Sequence, residues 1–98
     1  MTKLQNAEID QFFKAVLSLE SVDECYRFFE DICTIKELEA LSQRYQVARQ
    51  LDSGRNYNEI CVDTGASTAT ISRVNKCLQY GSGGYRLVLD RLKEDSET

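Results

Sequence analysis

The residues that most constrain this chain are Asn56 to Leu78, NYNEICVDTGASTATISRVNKCL, where one glycine separates two short stretches of helical periodicity. Asn56 is a helix-capping residue, and Glu59 three positions on completes a capping-box pattern. Ile60 and Cys61 supply an apolar face for that first helix. Gly65 stands where the chain must leave it, and glycine alone takes a left-handed backbone there without steric cost. Ser67 then offers its hydroxyl to the free N–H groups of a second helix. Ile71, Val74 and Leu78 fall at i, i+3 and i+7 and face inward, which leaves Thr68, Ala69, Ser72, Asn75 and Lys76 facing outward. This is the plan of a helix-turn-helix. Short side chains at the start of the second helix, with a cation further along, suit entry into a DNA groove: small groups approach base edges and charge meets phosphate. An ordinary helical hairpin with a glycine stop and a serine start carries the same marks. Thr64 also departs from the apolar residue more usual at its position.

Composition narrows the rest. Ninety-eight residues make one domain with a limited core, so oligomerisation is expected. There is no proline, three of the five glycines cluster at 81–84, and helix formers dominate, which predicts an all-α fold of about six helices. No apolar run approaches the roughly 20 residues needed to span a bilayer. The N-terminus lacks the basic and apolar regions of a secretory signal, so a cytoplasmic location is expected. Cys25, Cys33, Cys61 and Cys77 form no C-x-x-C pair and histidine is absent, so no metal site is expected; the cysteines read as small core residues in a reduced compartment. The same absences argue against nucleophilic catalysis, and no acid–base pair stands out, so the chain does not read as an enzyme.

The net charge of −4 is unevenly spread. Residues 1–42 carry four basic and nine acidic side chains, a net of −5. Residues 43–93 carry eight basic and four acidic, a net of +4, and residues 94–98 add three acids. The positive half holds the helix-turn-helix, as an electrostatic footprint on DNA requires. One copy with so modest a charge would bind weakly, and two side by side would do better.

Along the chain, Ile9, Phe12, Phe13, Val16 and Leu17 predict an apolar stripe on a helix from Leu4 to Leu19. Ser21 with Glu24 predicts a capping box for a helix from Val22 to Cys33, with the stripe Cys25, Phe28, Phe29, Ile32 and Cys33. Four phenylalanines on two adjoining helices exceed what a small monomer easily covers. Beyond packing on the domain's own core, burial against a second subunit is expected. Thr34 with Glu37 opens a long helix ending near Asp52, with Leu38, Leu41, Tyr45, Ala48 and Leu51 inward and Arg44 and Arg49 off that face. Gly81 to Gly84 reads as a flexible joint before a short final helix marked by Tyr85, Val88, Leu89 and Leu92, with residues 94–98 frayed.

From Glu39 to Leu78 the sequence ELEALSQRYQVARQL, followed by NEICVDTGASTATISRVNKCL, resembles the core of the Trp repressor family, in particular the YerC/YecD group of Trp repressor-related proteins. The telling residues are Glu39-Ala40-Leu41 with Arg44, and Gly65-Ala66 with Ala69-Thr70-Ile71 and Arg73. The resemblance implies an interlocked all-helical homodimer that binds operator DNA and represses transcription. Two recognition helices would then meet successive major grooves about 34 Å apart. The family's DNA-contacting face matches Thr68, Ala69, Thr70 and Ser72. Ser67 and Lys76 join them on physical grounds, from helix N-terminal amides and from charge. The family's founding member binds L-tryptophan with two arginines that match Arg44 and Arg73, which makes these the candidate effector site. Here, however, Val74 replaces the glycine that leaves room for the indole. Either the pocket takes a smaller anion or there is no pocket, and the two arginines then serve phosphate contacts or surface ion pairs. No cofactor is implied. The partners expected are double-stranded DNA and a second copy. A different class of reading is an interaction module that keeps the fold without operator specificity, motivated by the acidic N-terminal half and its aromatics.

Overall fold

The computed structural model describes residues 5–97, with side chains up to residue 93. Among the described residues six helices account for the regular structure: α1 (Ala7–Leu17), α2 (Val22–Ile32), α3 (Ile35–Asp52), α4 (Tyr57–Thr64), α5 (Thr68–Tyr80) and α6 (Gly84–Glu97). No strand occurs among the described residues. The chain divides into two compact units, Met1–Leu38 and Glu39–Thr98.

In the first unit α1 begins later than its apolar stripe suggested, because Asn6 caps it: the Asn6 side chain accepts from the Ile9 N–H at 2.8 Å. Leu4, placed in this helix by periodicity, lies outside the described residues. The Ser18 N–H and hydroxyl turn back onto carbonyls of the last turn and end the helix at Leu17. Ser21 caps α2, accepting from the Glu24 N–H at 3.1 Å, but the expected reciprocal bond is displaced by one residue. Glu24 Oε1 accepts from the Glu20 N–H rather than from that of Ser21. Phe12 of α1 stacks on Phe28 of α2 with centroids 6.1 Å apart, and Phe29 meets Phe28 edge-on. No residue of this unit is buried among those described. Phe13 is 56% exposed and Leu17 82%.

The second unit has a core. Val47 and Ala48 of α3, Ile60 of α4, Ala66, Ile71 and Val74 of the turn and α5, and Leu89 of α6 are buried together. Tyr45, Leu51, Tyr57, Cys61, Leu78 and Tyr85 pack around them. The inner face of α3 keeps the expected Ala48, buried, with Tyr45 and Leu51 packed beside it, but Val47 is fully buried as well and Leu41 is exposed. Of the four cysteines expected in the core, only Cys61 packs against it. Cys25 and Cys77 are exposed, and Cys33 and Cys61 are half-buried. Nor is the final helix short, since α6 runs to Glu97. Gly81, which caps α5, is required by close approach: a β-carbon there would collide with the backbone of Cys77.

Asp52 ties the end of α3 to α6, with Oδ1 2.8 Å from Arg86 and Oδ2 2.5 Å from Lys93. The Lys93 hydrogen bond, then that of Arg86, hold its carboxyl below the ordinary aspartate value of 3.8. A lowered folded-state value means stability that is fully present above the ordinary value and is lost as pH falls through the folded one. Asp52→Asn should therefore cost about 1 kcal/mol at neutral pH, kept small by the half-exposed cations. It should also flatten the loss of Tm on acidification below the ordinary aspartate value. Thermal melts across that range check this, and parallel curves for the two proteins would contradict it.

Candidate nucleic-acid interface

The site is built on α4 and α5. Asn56 and Glu59 form the full capping box at the start of α4: Asn56 Oδ1 accepts from the Glu59 N–H at 2.9 Å, and Glu59 Oε1 accepts from the Asn56 N–H at 3.3 Å. Gly65 closes the helix with φ of 73°, in the left-handed region. Ser67 caps α5, its Oγ accepting from the Thr70 N–H at 3.1 Å and donating to Thr70 Oγ1.

Thr64 explains its own departure from the usual apolar residue. Its hydroxyl donates to the Ile60 carbonyl at 2.7 Å and accepts from the Ala66 N–H at 3.1 Å, across Gly65. Gln43 Nε2, from α3, donates to the Thr64 carbonyl at 3.1 Å. This anchor between α3 and the turn was missed by sequence reasoning; no local pattern encodes a bond across 21 residues.

On that rigid turn α5 presents Ser67, Thr68, Ala69, Ser72 and Lys76 as exposed side chains. Thr70 is half-buried, and both its hydroxyl and its N–H are engaged with Ser67. Ile71 and Val74 point into the core.

Electrostatics sharpen the basic balance of residues 43–93. All four acids there are held: Glu59 and Asp63 by Arg55, Asp52 by Arg86 and Lys93, and Asp90 by Arg86. Among the described residues Arg44, Arg49, Arg73, Lys76 and Arg91 make no ion pair, and all five are exposed.

Of the two candidate effector residues, Arg44 lies on α3 and Arg73 on α5. Burial pushes the Tyr85 hydroxyl above its ordinary value, Cys77 adds to this, and the Arg44 charge pulls the other way, so Tyr85 is an electrostatic neighbour of Arg44. Val74 is 3% exposed and is packed as a core residue. A groove of about 650 Å³ runs between Tyr45, Arg49 and Asp52 of α3 and Leu89, Leu92 and Lys93 of α6, and neither Arg44 nor Arg73 lines it. Among the described residues no group of three or more metal-binding side chains comes together, and no helix is long and apolar enough to cross a membrane.

Six helices with a glycine-turned helix pair on a small core define a helix-turn-helix protein of the all-α class. The model of the Trp repressor protein family matches residues 7–93, and the chain belongs to that family. It is 55% identical over 92 residues to the uncharacterized protein YerC of Bacillus subtilis (strain 168), covering 94% of this chain and 88% of that one. A crystal structure of a candidate Trp repressor from Staphylococcus aureus superposes with a TM-score of 0.89 at 49% identity, over 93% of this chain and 91% of the other. A TrpR-like protein from Eubacterium eligens does so with 0.90 at 54%, over 93% and 94%.

The turn clamp makes a direct prediction. Thr64→Val places the usual apolar residue but leaves the Ala66 N–H without its partner, so it should lower stability by about 1 kcal/mol, a few degrees in Tm. A Tm equal to or above that of the unaltered protein would show that the hydroxyl holds nothing.

Proposed function

We propose that this chain is a sequence-specific DNA-binding regulator of transcription, acting as a repressor and binding operator DNA as a homodimer in the cytoplasm. In this reading residues 1–98 work as one DNA-binding domain, with the helix-turn-helix at about 56–78. What carries it is the start of α5: short, exposed side chains on a helix locked to a core, in the half of the chain whose unpaired charges are positive. Thr68, Ala69 and Ser72 face base edges, half-buried Thr70 stands beside them bonded to the Ser67 cap, that capped N-terminus meets phosphate, and Lys76 adds charge further along. Membership of the Trp repressor family supports the same conclusion. The exposed Phe13 and Leu17 of α1 and Val22, Tyr26 and Ile32 of α2 support the homodimer, since clustered apolar surface is costly to leave in water.

Arg44 and Arg73 are the residues that would take a small-molecule effector, and an anion is the chemistry they suit. L-tryptophan is not favoured, because the packed Val74 could not make room without strain. The same exposed side chains of α1 and α2 favour a second reading, an interaction module without operator specificity. A stoichiometric protein partner retained in the absence of DNA would support it.

Selection of bound sequences from random DNA tests the main reading. A consensus with two related half-sites is expected, and added L-tryptophan should leave the affinity unchanged. Lys76→Glu should weaken binding to every sequence and reduce the salt slope by about 1, while changes at Thr68 or Ser72 should shift the preferred bases at a cost of about 1–3 kcal/mol each. If the unaltered protein retards no DNA at low salt, the proposal fails.

A further inference from the structure

The first helix of the helix-turn-helix carries two acids where DNA binding would least tolerate them. Glu59 and Asp63 lie four residues apart on α4, on one face, and both are exposed. In helix-turn-helix docking the first helix crosses the phosphate backbone. Asp63 also stands in the last turn of α4, where the negative end of the helix dipole disfavours a carboxylate. Arg55, one residue before the cap, reaches along two turns to both: its Nε is 3.5 Å from Glu59 Oε2, and its Nη1 pairs with Asp63 Oδ2. Glu59 Oε1 meanwhile serves the capping box, so that side chain has a local task besides its charge.

Resting on the DNA-binding reading above, we infer that Arg55 is a positioning residue that masks Glu59 and Asp63, letting α4 approach phosphate. With Arg55 the cluster carries a net charge of −1, without it −2. The mask is local: the other two acids of residues 43–93 are held by different cations, Arg86 and Lys93.

The test compares wild type, Arg55→Gln and the triple variant Arg55→Gln/Glu59→Gln/Asp63→Asn on one selected DNA site across a salt series. Circular dichroism confirms folding, and glutamine at 59 keeps the capping box. Arg55→Gln should bind about tenfold more weakly at low salt, with the gap narrowing as salt rises. The triple variant, with a neutral cluster, should recover wild-type affinity or exceed it. Should Arg55→Gln itself fail to fold, Asp63→Asn alone should tighten binding by about threefold. The inference is overturned if Arg55→Gln binds like wild type, if the triple variant stays as weak as Arg55→Gln, or if Asp63→Asn changes nothing. The first and second of these would mean, respectively, that the acids do not face the duplex or that Arg55 itself contacts phosphate. Failure of the parent reading is separate: wild type then shifts no DNA, and the mask falls with it.

Discussion

A helix proposed to read base edges is only as well aimed as the turn before it, and here the Thr64 hydroxyl ties that turn together. Thr64 bridges the Ile60 carbonyl and the Ala66 N–H across the left-handed backbone of Gly65, while Gln43 fixes the Thr64 carbonyl to α3. Ile60 and Ile71, on either side, are fully buried against Val47 and Ala48. With both flanks packed and the turn bonded internally, α5 has little freedom to swing. Its start is left outside because its inward positions are already taken by Ile71 and Val74, with Leu78 packed alongside. The exposed run of small side chains is thus a consequence of the core, and specificity for base edges needs that rigidity more than it needs charge.

The two units of the chain differ in kind. The second has a buried centre and a set of ion pairs that leaves positive charge uncompensated. The first has aromatic contacts but, among its described residues, none that is buried, and it holds most of the chain's acids. Fully covering a large apolar side chain is worth about 1.5–3 kcal/mol, so exposed Phe13, Leu17, Tyr26 and Ile32 are a substantial incentive to associate. A homodimer meets that need and at the same time supplies a second positive half for a duplex. This is why the two features that look least alike, an acidic apolar hairpin and a basic helix-turn-helix, belong to one proposal.

Much of the fold was legible because its signals are local. The Asn56–Glu59 and Thr34–Glu37 boxes, the Ser67 cap and the Gly65 stop each involve residues within three or four positions, and each stands where the sequence placed it. Four of the outward residues of α5, Thr68, Ala69, Ser72 and Lys76, followed from periodicity, while Asn75 is half-buried. What periodicity could not give was the burial of Val47 beside Ala48 and the exposure of Leu41, since these depend on where the neighbouring helices lie. The Gln43 anchor and the Asp52 pairs link residues far apart in sequence and carry no local mark. Cys25 and Cys77 were misjudged for a related reason: an apolar stripe shows which face prefers burial, not whether this chain alone can cover it.

Hydroxyl-radical cleavage of a selected DNA site, with the protein bound, tests the central claim most directly. If α5 of each of two symmetric copies enters the major groove, backbone protection should appear in two equivalent patches whose centres are about one helical turn, 10–10.5 base pairs, apart. A single patch, or two patches at a spacing that one straight duplex face cannot present, would contradict it.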